Sequence, residues 1–232
     1  MSNVKELLAV AASFFTLLQF LSGGLICRQY VRQKDVGEDS HLPFIAGFLN
    51  CSIWLSYGMV SQEFTIIFVN AVGLVLFFSY ATTHYIYSIQ RNLVIRDFLI
   101  CIVLIGLMNI YILKGIRREI LQYHIGNLAS FITVLFFAAP LTNMVTVIKT
   151  GNVSSLPLPF ISMTLVATFL WFLYGLVVDD IYVQVLFFFS FKVSLTKVSI
   201  YYCFYNLQSY YYFFWKAQRS ANFGSCLFLK RI

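Results

Sequence analysis

The sequence predicts an all-α membrane protein of seven helices arranged three, one and three, with the seventh in doubt because two lysines lie inside it. Three observations carry that expectation. The chain of 232 residues is 60% apolar and 11% charged, where an average soluble domain is about 25% charged. Its charges gather in short segments between apolar runs, each close to the roughly 20 residues a helix needs to cross a bilayer. The first part of the chain also recurs in the second.

Six spans read clearly, at residues 7–26, 42–59, 64–85, 98–113, 125–148 and 158–178. Each is expected to be helical, because a lone segment in lipid must satisfy its own backbone hydrogen bonds. The first is too long for the apolar core of a signal peptide, and no small-residue cleavage site precedes the charges beyond it, so it reads as a permanent span. Proline suits a first helical turn and, deeper in a helix, breaks the ladder. Pro43 and Pro159 stand at the starts of spans two and six and admit either role, whereas Pro140 lies within span five. A seventh segment, 181–205, is apolar but holds Lys192 and Lys197, and a lysine at a span centre costs about 2.5–3.5 kcal/mol. Residues 60–63 and Asp179-Asp180 are the only links in their hairpins. Such links force antiparallel neighbours and leave no room for a soluble domain.

The internal repeat organises these spans. Ala12-Ser13-Phe14 recurs as Ala129-Ser130-Phe131, Thr16 as Thr133 and Phe20 as Phe137, 117 residues on (129 − 12 = 117). Trp54-Leu55-Ser56-Tyr57-Gly58 recurs at the same offset as Trp171-Phe172-Leu173-Tyr174-Gly175, and Leu42-Pro43-Phe44-Ile45 recurs 116 on (158 − 42 = 116). The expected units are a first three-helix repeat at 1–90, a linker helix at 91–120, a second repeat at 121–205 degraded after 184, and an aromatic, basic tail at 206–232 that is disordered or artefactual. One odd helix between two triplets gives them the same orientation. They are then parallel repeats about an axis along the membrane normal, with the substrate site near the midplane between them.

Net charge is +7, but the basic residues form no stripe or recognition module, so nucleic acid is not an expected partner. Arg28, Arg32, Lys34, Arg91, Arg96 and Lys149 alternate to one side; Lys5, Lys114, Arg117 and Arg118 fall on the other. Six against four places the N-terminus outside. The five cysteines form no C-x-x-C pair, and neither a disulfide framework nor a metal site is indicated. The sequons at Asn50 and Asn152 fall in a span and in an expected cytosolic loop, so both read as unused.

No Asp or Glu lies inside the six clear spans. Coupled transporters rest on such carboxylates, so the pattern points to uncoupled movement of a neutral solute. Asn70 in span three offers one acceptor and two donors; it either binds a solute or bonds two helices together. Trp54 and Trp171 hold matched places, which favours a shared pore over an interfacial belt. Gly23 matches Pro140 at the repeat offset, and both can flex a helix. His84 and His124 read as span-end residues, and no catalytic cluster appears, so no enzyme and no cofactor are expected.

These motifs resemble the SWEET (MtN3/saliva) family of sugar transporters. Pro43-Phe44-Ile45-Ala46-Gly47-Phe48-Leu49 with Trp54-Leu55-Ser56-Tyr57-Gly58 and Phe68-Val69-Asn70 is similar to the animal branch's first repeat. Val134-Leu135-Phe136-Phe137-Ala138-Ala139-Pro140-Leu141 and Leu156-Pro157-Leu158-Pro159 are similar to its second, and the resemblance covers residues 7–184. It implies bidirectional facilitated diffusion of mono- or disaccharides, glucose or another hexose among them, by alternating access. It also implies that Asn70, Trp54 and Trp171 line the sugar site and that Pro43, Pro140 and Pro159 are hinge prolines, Gly23 standing near the place of a missing fourth. The implied setting is a multi-pass protein of the plasma membrane, or else of the Golgi, surrounded by lipid and able to form homo-oligomers. The alternative is a non-transporting subunit that oligomerises with intact copies.

The tail departs from that pattern. Asn70 maps onto position 187 (70 + 117 = 187), where the family pattern places Pro-Asn at 186–187 and this chain has Leu186-Phe187. From Val185 on there is no Pro, Asp or Glu, and Tyr210-Tyr211-Tyr212-Phe213-Phe214 is typical of the whole. The segment reads as translated non-coding sequence that begins after about Gln184, with a lineage-specific tail as the alternative.

Overall fold

The computed structural model describes residues 2–150, 158–185 and 187–203, with side chains at 3–135, 161–185 and 187–203. Their regular structure is helical: α1 (Ser2–Leu21), α2 (Gly23–Gln33), α3 (Leu42–Ser61), α4 (Phe64–Tyr87), α5 (Arg91–Ile112), α6 (Arg118–Thr150) and α7 (Leu158–Val178), then α8 (Ile181–Cys203). α1 and α2 form one crossing, Asn3–Gln33, and six crossings among the described residues are long and apolar enough to span a bilayer. The 33 residues of α6 are long enough as well, at about 50 Å for 1.5 Å per residue. The total is seven crossings, in the expected three, one and three.

Helices run further than their apolar runs suggest. The first crossing continues to Gln33 instead of ending at residue 26, α5 starts at Arg91 instead of 98, and α6 at Arg118 instead of 125. Backbone hydrogen bonding does not stop where side chains become charged, and Arg28, Arg32, Arg91 and Arg96 extend helices into the headgroup layer, where a charge costs little. The expected loop at 88–97 is therefore three residues, 88–90. α8 continues past both lysines: Lys192 is exposed, its Nζ over the Phe188 ring at 4.7 Å, and Lys197 is buried. The tail at 206–232 lies outside the described residues.

α3 is the hub, the most buried of the spans, while Leu99, Ile100, Val103 and Leu107 of α5 face outward. One core cluster joins the repeats through Ala12, Trp54, Tyr57 and Ile66 from the first and Ala129, Trp171, Tyr174 and Val183 from the second. α1 packs on α7 and α3 on α6, so each repeat lends its first helix to the other's second.

The two hairpins are copies. Glu63 N–H bonds the Gly58 carbonyl at 3.1 Å and Asp180 N–H bonds that of Gly175 at 3.0 Å. Gln62 and Asp179, 117 apart, take the left-handed conformation at φ 60° and 55°. A Cβ on Gly58 would lie 3.0 Å from the Ile67 backbone nitrogen, and one on Gly175 2.9 Å from that of Gln184. The hairpin helices can approach this closely only over glycine.

Candidate functional site

Where the repeats meet, α1, α3, α4, α6, α7 and α8 surround a partly open cavity of about 110 Å³. Trp54, Trp171 and Asn70 line it together, so the structure brings all three sequence-predicted binding residues to one site. No charged side chain lines it among the described residues.

Each tryptophan is fixed by the opposite repeat. Trp54 Nε1 donates to the Thr133 hydroxyl at 2.9 Å, and Trp171 Nε1 donates to that of Thr16 at 2.8 Å. Each threonine in turn donates back to a carbonyl one turn earlier, Ala129 and Ala12, at 2.8 Å. Both indole N–H groups are thereby satisfied in an apolar interior, and the ring faces are held in place. Thr133 Oγ1 also lies 2.6 Å from Asn50 Oδ1, so its one proton serves either that oxygen or the Ala129 carbonyl. Asn70 Nδ2 donates to the Ile66 carbonyl at 2.8 Å on its own helix. Gln19 Nε2 donates to Thr164 at 2.9 Å. Phe187 stands at the repeat partner of Asn70, its ring stacked on Trp171 with centroids 5.4 Å apart and planes 17° apart.

A double clasp joins the repeats at the end that holds the N-terminus and the two hairpin turns. Tyr57 OH donates to Asp180 Oδ2 at 2.7 Å, and Tyr174 OH donates to Glu63 Oε2 at 2.8 Å. Asp180 Oδ1 also accepts the Tyr182 and Val183 N–H groups at 3.0 and 3.2 Å, and Lys5 Nζ lies 3.0 Å from Glu63 Oε2. The repeat offset carries Tyr57 onto Tyr174 and Glu63 onto Asp180. In the sequence both acids stand as plain loop residues; their matched positions and matched acidity are the available signal. Asn50, which the sequence marks only as a sequon, is half-buried and bonded to Thr133.

The hinge candidates sit away from this clasp. Pro43 occupies the first turn of α3, where its missing N–H breaks no internal bond. Gly23 begins α2 at the break in the first crossing, and a Cβ there would lie 2.6 Å from the Tyr80 ring. Tyr80 OH donates to the Phe20 carbonyl at the same break, at 3.1 Å. Pro140 lies on the backbone of α6 and Pro159 on that of α7; their side chains are outside the described residues.

Known proteins share the same repeat. The profile of the family described as sugar efflux transporter for intercellular exchange matches residues 6–92 and 123–209, and the matches are 117 residues apart at both ends (123 − 6 = 117; 209 − 92 = 117). The sugar transporter SWEET1 of Drosophila pseudoobscura pseudoobscura is 37% identical over 199 residues, 84% of this chain and 88% of that protein. The Rattus norvegicus protein of the same name is 30% identical over 180 residues, 77% of this chain and 81% of its own length. A solved eukaryotic SWEET transporter shares the fold, with a TM-score of 0.83 over 88% of this chain and 98% of that one at 21% identity. Two profile matches at the internal repeat offset, with relatives aligned over most of their length, establish that this multi-pass membrane chain belongs to the SWEET family of transporters, not to a family of enzymes.

Proposed function

We propose that the chain carries neutral mono- or disaccharides, a hexose first, across the plasma membrane by uncoupled, bidirectional alternating access. The observation that supports this most is the uncharged cavity between the repeats, with two matched indoles and amides of the first repeat along its wall. An indole face takes the C–H face of a sugar ring, and amides take its hydroxyls. No carboxylate among the cavity residues offers a site for a coupled proton or cation. Relatives carrying the name sugar transporter support the same solute class.

With the N-terminus outside, the Tyr57–Asp180 and Tyr174–Glu63 clasp closes the outer mouth. Release of both hydrogen bonds, with flexure at Gly23, Pro43, Pro140 and Pro159, opens the site to that side and closes it to the other. Symmetric clasps on symmetric helices suit a two-state rocking of one repeat against the other.

The test is radiolabelled hexose flux through the purified protein in liposomes. Saturable D-glucose exchange above the L-glucose background is expected, and its absence in well-folded protein refutes transport. Phe187 at the partner position of Asn70 favours a second reading, a subunit that joins intact copies without moving sugar itself. That reading predicts no flux alone and an altered flux when co-reconstituted with a transporting relative.

A further inference from the structure

The walls of the cavity are chemically opposite. Three amide side chains line it: Gln19 from α1, Asn50 from α3 and Asn70 from α4, all in the first repeat. Their repeat partners at the offset of 117 are Phe136, Ala167 and Phe187, none of them polar. Ala167 and Phe187 line the opposite wall with Trp171, Val183 and the hydroxyls of Thr133 and Thr168. The indoles and their threonines, by contrast, are duplicated on both sides. The symmetry is thus kept for the stacking surface and lost for the amides.

The existing hydrogen bonds leave defined atoms for a solute. Asn50 Oδ1 shares the Thr133 proton with the Ala129 carbonyl, and its Nδ2 carries two N–H donors. Asn70 uses Nδ2 on Ile66, and Gln19 uses Nε2 on Thr164, which leaves an amide oxygen of each as acceptor. A sugar hydroxyl both donates and accepts, so one donor amide and two acceptor oxygens on one wall can serve neighbouring hydroxyls of one ring edge. A hydroxyl turned the other way meets Ala167, aromatic rings and Thr168, whose hydroxyl already donates to the Thr164 carbonyl at 2.8 Å and can only accept. It loses water for at most one acceptor and no amide, and that is the costlier case.

We infer that this site selects solutes with hydroxyls on one edge and apolar surface on the other, so that it accepts monodeoxy hexoses and hexosides with a small alkyl or aryl group on the edge facing the second repeat. This rests on the sugar-transport reading and adds the orientation and class of the sugar. The Asn50–Ala167 pair lies before Gln184, and it is the pair the experiment addresses.

The experiment measures inhibition of D-glucose exchange in proteoliposomes by 2-, 3-, 4- and 6-deoxyglucose, with L-glucose as background. In the wild-type chain at least one monodeoxy analogue is expected to compete within about twofold of glucose itself. Ala167→Asn supplies the missing amide and is expected to make that same analogue compete roughly fivefold to tenfold less well relative to glucose, the scale of one hydrogen bond. Ala167→Val adds similar bulk without the amide and leaves the ratio as in wild type. If every deoxy analogue is fivefold or more weaker in the wild-type chain, or if Ala167→Asn and Ala167→Val move the ratio alike, the orientation is wrong although transport stands. If D-glucose exchange never exceeds the L-glucose background, the transport reading fails and this inference falls with it.

Discussion

Tyr57→Phe tests the clasp with the smallest change available. The ring that packs edge-on against Trp54, with centroids 5.3 Å apart, is kept. The hydroxyl that donates to Asp180 at 2.7 Å and accepts Gln122 Nε2 at 3.4 Å is lost. A hydrogen bond to a charged acceptor contributes about 1.5–3 kcal/mol. Asp180 keeps its two backbone donors, so the variant leaves a carboxylate that is weakened in its bonding but not orphaned. If that energy belongs to the closed state alone, its loss raises the population open at this end by roughly tenfold to a hundredfold. The assay places one cysteine at Val69, a buried cavity residue, in a background with the five native cysteines replaced. An impermeant thiol reagent is then added on the N-terminal side. Labelling is expected to quicken by about tenfold or more in Tyr57→Phe, and further when Tyr174→Phe removes the bond to Glu63. An unchanged rate in both variants, at wild-type yield and helicity, refutes the clasp as the barrier at this end.

Asn70→Ala is expected to abolish hexose flux while insertion is retained, since it removes an amide from the wall that takes hydroxyls; wild-type flux in a folded variant overturns the assignment. Trp54→Ala and Trp171→Ala should both reduce flux, and Phe at either position should keep part of it because a stacking face survives. Asn152→Cys is expected to resist an impermeant reagent added outside, and rapid labelling there reverses the proposed orientation. Gly58→Ala should cost about 1–3 kcal/mol of stability, because the new methyl meets the Ile67 backbone at 3.0 Å; a thermal unfolding midpoint equal to wild type contradicts that packing.

The architecture is legible in the sequence because the two devices that define it leave marks on single residues. Membrane insertion writes itself into uninterrupted apolar runs, and duplication repeats Trp, Tyr and Gly at one spacing. That spacing alone pairs Trp54 with Trp171. Hidden from the sequence is the pairing across the repeat axis. Thr16 and Thr133 are visible as a matched pair, but nothing in the sequence says that each holds the other repeat's indole, since α1 packs on α7 and α3 on α6. Glu63 and Asp180 are hidden for a different reason. At the ends of spans they look like ordinary boundary charges, and only the closeness of the hairpins brings them to Tyr174 and Tyr57. Span limits differ from the apolar runs wherever a helix outruns its apolar stretch, as at Arg91 and Arg118.

The chain after Gln184 is where sequence and packing must be weighed together. We propose that the coding frame leaves the family's sequence at about that residue and that the remaining stretch, 185–232, is translated intron. An apolar stretch of any origin placed after a hairpin will be drawn into the groove left by the rest of the bundle, so helicity of α8 does not settle its provenance; the chemistry of its inner face is more telling. Val183, Phe187, Ser190, Ser194 and Lys197 fall at steps of four, three, four and three, one side of a helix. Their repeat partners are Ile66, Asn70, Gly73, Phe77 and Tyr80. Ser190 Oγ is buried without a hydrogen-bond partner. Lys197 is buried on α8, and the sequence beyond Asp180 holds no acidic residue to pair with it. An uncompensated buried cation costs several kcal/mol, a burden that a span retained for transport is not expected to carry. Against this, the family profile runs on to residue 209. Sequencing the mature transcript against genomic DNA decides the matter. A splice donor near codon 185, with a spliced message that restores an amide at position 187, is the expected result. Uninterrupted coding through Ile232 in the dominant, translated message refutes it, and α8 with its buried lysine must then be accepted as the seventh span of the working protein.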